Sequence, residues 1–201
     1  MTSCLRFSVA AACIALTVAP AVSQEPADQA AVQAVRQTGG QVLEVAQNDP
    51  RLDVAFHLSN VELTPEILKT LDGVKARLAH LNLRGTNLND DLAQYLKPLT
   101  ELTRLHLEKT AITDAALPNL AGLQKLEYLN LYGTNITDAG LEPLGGLAGL
   151  KKLFVWETKV TLDGVRKLRE QLPELQIIGG PEEPKPAGPK EAVEAPKPAK
   201  T

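Results

Sequence analysis

Residues 126 to 141 read Leu126-Glu-Tyr-Leu-Asn-Leu-Tyr-Gly-Thr-Asn-Ile-Thr-Asp-Ala-Gly-Leu141, and the reading of this stretch decides the fold. Leu129 and Leu131 stand two apart, the spacing of a strand with one buried face. Leu141, Leu144 and Leu147 then recur at every third residue, which predicts a short helical segment. Between the two, the Thr137 oxygen is placed to cap exposed backbone N–H groups, and Asp138 occupies the first helical slot, where the dipole favours negative charge. One strand, one turn and one helical segment therefore fit into a single short unit.

The unit repeats. Leu78, Leu102, Leu126 and Leu150 are spaced by 24 residues. They open Leu78-x-x-Leu81-x-Leu83, Leu102-x-x-Leu105-x-Leu107, Leu126-x-x-Leu129-x-Leu131 and Leu150-x-x-Leu153-x-Val155. Thr86, Thr110, Thr134 and Thr158 follow in step, and then Leu88, Ile112, Ile136 and Val160. Thr64, Asn89, Thr113, Thr137 and Thr161 precede the helical segments; Pro65, Asp90, Asp114 and Asp138 take the next slot. A degenerate first copy runs from Asp53 through Phe56, Leu58, Val61 and Leu63, one residue longer than the others, which makes five repeats. A fixed period of this length predicts an α/β solenoid, because each unit buries its apolar face only against its neighbours.

The run Leu129 to Leu141 resembles the leucine-rich repeat family, in particular the short bacterial, planctomycete-type repeats related to the ribonuclease-inhibitor-like and cysteine-containing classes. The resemblance extends over about residues 28 to 178. It implies a right-handed superhelix with a parallel sheet on the concave side, helical segments on the convex side, and protein–protein recognition as the use. Threonine stands where many such repeats carry Asn or Cys, so the supporting ladder is expected to run from hydroxyl to backbone.

Outward from the repeats, residues 24–52 read as an N-terminal cap. A helix from Asp28 to Gln37 ends at Gly39-Gly40, and strands Gln41 to Ala46 and Leu52 to Leu58 flank an Asn48-Asp49-Pro50 turn. Residues 53–178 form the solenoid, closed by a charged helix from about Asp163 to Gln171 and a short strand at Leu175 to Ile178. Residues 1–23 read as a signal peptide, with Arg6 ahead of an apolar run of 12 residues, Phe7 to Val18, and cleavage after Ala21 or Ser23. That run is too short to span a bilayer. Residues 179–201 read as a disordered tail: from Pro181 onward there are six prolines, four lysines and four glutamates and almost nothing apolar to bury. The expected location is the periplasm or the extracellular side, in association with the envelope.

Composition narrows the chemistry. The net charge of −3 offers no positive field to collect nucleic acid or anionic membrane. Both cysteines, Cys4 and Cys13, lie in the signal, which leaves no thiol chemistry afterwards. Leucine supplies 25 of the 100 residues from Arg51 to Leu150, so the core is built by repeating one side chain.

If the leucines point inward, the intervening residues face the concave solvent side in three columns. The first holds Ala55, His80, Arg104, Tyr128 and Lys152; the second His57, Asn82, His106, Asn130 and Phe154; the third Ser59, Arg84, Glu108, Tyr132 and Trp156. Tyr128, Tyr132, Phe154 and Trp156 cluster there, rimmed by Arg104 and Lys152 and continued by His106 and Glu108. That is the composition of an interface hot spot. The expected function is non-catalytic recognition of a protein partner by a monomer. The alternative is a structural or adhesive envelope component that binds wall or carbohydrate.

Catalytic and metal readings fare worse. His57 and Ser59 sit two apart on one strand, about 7 Å at the backbone and beyond hydrogen-bond reach, and Glu108 beside His106 has no second positioned carboxylate. His57, His80 and His106 lack the spacing of a ligand set. No cofactor motif is present in the sequence.

Overall fold

The computed structural model describes residues 26–59 and 61–180. Its organising element is a seven-stranded sheet whose strands lie side by side in chain order. Helix α1 (Pro26–Gln37) leads into β1 (Gln41–Ala46) and β2 (Asp49–Ala55), an antiparallel hairpin turned at Asn48 with φ of 73°. From β2 onward every pairing is parallel: β3 (Leu78–Asn82), β4 (Arg104–His106), β5 (Tyr128–Asn130), β6 (Lys152–Phe154) and β7 (Gln176–Ile178). Parallel neighbours require crossovers, and each one runs over the far side of the core through a helical segment. These are α2 (Pro65–Lys69), α3 (Asp90–Ala93), a 3-10 stretch at Asp114–Asn119, α4 (Asp138–Leu141) and α5 (Leu162–Gln171).

The helical spacing of the sequence overstates these crossovers. Only α5 exceeds one to two turns, and α2, α3 and α4 each tighten at once into 3-10 geometry. The crossover at Asp114–Asn119 contains Pro118, which lacks an N–H for an α-helical bond, and it is 3-10 throughout.

Core side chains come from both halves of each coil. Leu81, Leu105, Leu129 and Leu153 stack across the sheet in register with no exposed surface. Leu96, Leu117 and Leu144 meet them from the crossovers, equally buried. Each buried leucine contributes about 1.5–3 kcal/mol of transfer free energy, so a core of near-identical layers gains stability by repetition.

Two polar ladders run along the stack. Thr86, Thr110, Thr134 and Thr158 donate their hydroxyls to the carbonyls of Leu83, Leu107, Leu131 and Val155 at 2.6–2.8 Å, with Thr110 and Thr134 buried. This is the hydroxyl-to-backbone support that the threonines imply. The second ladder corrects the reading of the aspartates as dipole partners alone. Asp90, Asp114 and Asp138 reach forward to Thr113, Thr137 and Thr161, each accepting from the backbone N–H at 2.7 Å and from the hydroxyl at 2.5–2.7 Å. Thr113 and Thr137 also cap their own helical segments through Ala115 and Ala139, whereas Thr161 makes no side-chain cap.

The first coil departs from the sequence reading. Asp53 pairs with His80, Val54 with Leu81 and Ala55 with Asn82. The inward pair is therefore Val54 and Phe56, not Phe56 and Leu58, and Leu58 is 68% exposed. Phe56 and Leu83 are the matching positions, 27 residues apart, so this coil is three residues longer than the rest. The shift moves Ala55 to the second column and His57 to the third. The register also slips by one residue between Leu52 and Asp53, where the hairpin joins the stack. The signal reading of residues 1–23 and the tail reading from Pro181 lie outside the described residues.

Candidate functional site

The strand registers sort the concave side chains into columns. Arg104, Tyr128 and Lys152 are direct cross-strand neighbours, continued by His80 and Gln176; Asn82, His106, Asn130 and Phe154 form the adjacent column. Arg84, Glu108, Tyr132 and Trp156 stand in the third. There the residue following each of the first three (Gly85, Lys109, Gly133) donates its N–H to the carbonyl of the next column member, at 2.8–2.9 Å. All eight residues picked from the sequence, Arg104, His106, Glu108, Tyr128, Tyr132, Lys152, Phe154 and Trp156, therefore lie on one face of β4 to β6 and the turns after them.

Their chemistry is not uniform. Arg104 and Lys152 are exposed, Trp156 is 55% exposed, and Tyr128, Tyr132 and Phe154 are half-buried. His106, Tyr128 and Phe154 form a continuous row, with ring centroids 4.9 and 5.1 Å apart and planes tilted by 38° and 40°. Such tilted contacts add to area burial and hold the rings in place without a ligand. Burial pushes the Tyr128 hydroxyl up in pKa, opposed by its contact with Asn130.

Glu108 is the exception on this face, because its side chain is only 9% exposed. Its Oε1 lies 2.8 Å from His106 Nδ1 and accepts from Asn130 Nδ2 at 2.6 Å. Asn130 is oriented in turn: its Oδ1 accepts the Tyr132 N–H at 3.1 Å. Glu108 Oε2 is buried and takes no donor among the described residues. Glu108 thus acts as an internal anchor for His106 and Asn130 and shows little charge to solvent. The spacing in the sequence marked it as a surface group, and only the cross-strand approach of Asn130 accounts for its burial.

Tyr132 gains two partners that the sequence did not signal. The Glu157 carboxylate near its hydroxyl raises its pKa, and Lys109 Nζ lies 5.5 Å from its ring centroid. Lys109 and Glu157 occupy left-handed backbone, φ 53° and 52°, in the slot where Gly85 and Gly133 have 66° and 67°. Trp156 rests on the C-terminal edge: a Cβ on Gly179 would collide with its indole. Beside it opens a depression of about 540 Å³ that includes Val165, Arg169 and Ile177.

The histidines do not converge. His80 stands in the first column, 3.3 Å from Asp53, His106 in the second, and His57 in the third. Ser59 donates its hydroxyl to the Phe56 carbonyl at 2.9 Å. Among the described residues no three His, Cys, Asp or Glu side chains are grouped to hold a metal, and no helix is long and apolar enough to cross a membrane.

With this geometry in hand, comparison with known proteins is direct. Among solved structures the chain is similar to internalin C2 of Listeria monocytogenes, with 25% identity, coverage of 56% of this chain and 48% of that one, and a TM-score of 0.46. It is also similar to the internalin inlF of the same organism, with 24% identity, coverage of 64% and 46%, and a TM-score of 0.43. The chain thus spans about half the length of those structures. No curated protein sequence matches it. Residues 122–145 match the family described as Leucine Rich repeat. That segment is one full 24-residue period with β5 and α4 inside it, so the chain carries a leucine-rich repeat at its centre and stacks the same coil on either side.

Proposed function

We propose that this is an exported, monomeric, non-catalytic protein that recognises a protein partner through the concave face of β3 to β6. The observation that carries the reading is the aromatic row of His106, Tyr128 and Phe154, continued on the same face by Tyr132 and the half-exposed Trp156. A chain with 3% aromatic residues places most of them on one surface instead of in its leucine core. Rigid aromatic area at the centre with charged groups at its margin is the usual make-up of residues that dominate binding energy. The strands that carry them are braced by the Asp–Thr and Thr–carbonyl ladders, so the face loses little conformational entropy on association.

The test is retention of a partner from an envelope fraction of native cells. Replacing Trp156 and Tyr132 together by Ala is expected to abolish retention of the protein that the unaltered chain holds, with circular dichroism unchanged. Equal retention by both proteins would overturn the reading. Retention competed away by wall glycan, with no protein held, would replace it by the adhesive one.

A further inference from the structure

Resting on the concave face proposed above, we infer that the partner presents an acidic segment, read by Arg84, Arg104 and Lys152. These three exposed cations stand around the aromatic row: Arg104 and Lys152 flank Tyr128 directly in register, and Arg84 precedes Glu108 across the sheet. The two in register lie about two strand spacings apart, roughly 9–10 Å, about the length of three residues of extended peptide. Among the described residues none of the three makes an ion pair or hydrogen bond through its charged end.

The carboxylates that could neutralise them are engaged elsewhere. Glu108 is buried under the face and held by His106 and Asn130. Glu127, the carboxylate that feels Arg104, is bonded by Lys151 at 2.8 Å on the outer edge. Asp53 faces His80. Lys109, over the Tyr132 ring, adds a fourth positive group. The exposed charge of the three columns from β3 to β6 is therefore positive, in a chain of net charge −3. Opposite fields across an interface steer association and exclude wrong partners, and here the complementary partner is an acidic, partly apolar peptide surface. A basic segment would meet repulsion at the rim.

The chain has a single tryptophan, Trp156, so its emission reports occupancy of the face without a label. The probe is the peptide acetyl-Glu-Glu-Leu-Glu-Glu-amide, with acetyl-Lys-Lys-Leu-Lys-Lys-amide as the charge-reversed control, titrated against the full chain. The acidic peptide is expected to change Trp156 emission saturably, at least tenfold more tightly than the basic one. Its affinity is expected to fall at least tenfold on raising salt from low to several hundred millimolar, and by a similar factor in the Arg104→Glu, Lys152→Glu double variant with unchanged melting temperature. Equal or tighter binding of the basic peptide, no binding of the acidic one, or indifference to the double variant would each overturn the inference. Failure here together with loss of the native partner in the Trp156→Ala, Tyr132→Ala variant leaves the concave face standing and removes only its acidic specificity. Retention of the partner in that variant removes the face itself.

Discussion

Asp114 holds the coil that follows it: its Oδ1 accepts the Thr137 backbone N–H at 2.7 Å and its Oδ2 the Thr137 hydroxyl at 2.5 Å. The same pair of bonds joins Asp90 to Thr113 and Asp138 to Thr161. One carboxylate thereby satisfies two donors across a repeat boundary and fixes the phase of stacking beneath the concave face.

Replacing Asp114 by Ala should cost about 1.5–3 kcal/mol, the range for charge-assisted hydrogen bonds, because the Thr137 N–H loses its acceptor in a half-buried position. Urea titration checks this. A midpoint unchanged from the unaltered chain would show that the bridge is solvated and without weight.

Gly164 lies under Asp138. A Cβ there would fall 2.5 Å from the Asp138 Cγ and overlap its Oδ1. Gly164→Ala is therefore expected to destabilise by about 1–3 kcal/mol, although alanine in an ordinary helix interior gains about 1 kcal/mol over glycine. Asp138→Ala should relieve much of that loss, so a double-mutant cycle of the two is predicted to be strongly non-additive. Simple additivity would contradict the geometry.

The turn after each concave strand needs a left-handed residue, and Lys109 fills that slot at φ 53°. Glycine there escapes a steric cost of about 1–2 kcal/mol but forfeits the contact of Lys109 over Tyr132, worth about 0.5–1 kcal/mol. Lys109→Gly should leave thermal stability equal or raised, and Gly133→Ala, at φ 67°, should lower it. Opposite signs in a melting experiment check the pair.

Tyr132 should ionise above the ordinary tyrosine value of 10.0, because the Glu157 carboxylate near its hydroxyl disfavours the phenolate. The native state holds the hydroxyl proton more firmly than the unfolded chain does. The associated stabilisation is thus full below the unfolded pKa and is lost as pH rises through the folded one. Ultraviolet titration should show Tyr132 and the half-buried Tyr128 ionising above that value, and Glu157→Gln should bring Tyr132 back toward its ordinary range. A Tyr132 midpoint unmoved by that substitution would refute the influence of Glu157.

The stack was legible before any coordinates. Leucine spacing, capping threonines and the 24-residue period are properties of neighbours in the chain, and they specify which face of each strand is buried from Leu78 to Val155. The first coil was not, because Leu58 has the right type and spacing for the core while the inward position belongs to Val54. The hairpin of β1 and β2 sets that register, and a hairpin register is decided by turn geometry as well as by hydrophobicity.

Spacing along the chain specified the periodic part: the sheet, its inward leucines, and, from Leu78 to Val155, which residues lie on the concave side. The tertiary structure alone decided how those displayed residues divide their work. Glu108 is an interior anchor and not a surface acid because Asn130, 22 residues away on the neighbouring strand, meets it together with His106. Asp114, Asp138 and Glu157 likewise take their roles from groups on another coil or strand. Local spacing encodes which face a side chain occupies; which partner it meets there depends on the stacking of separate coils, and that is a property of the assembled solenoid.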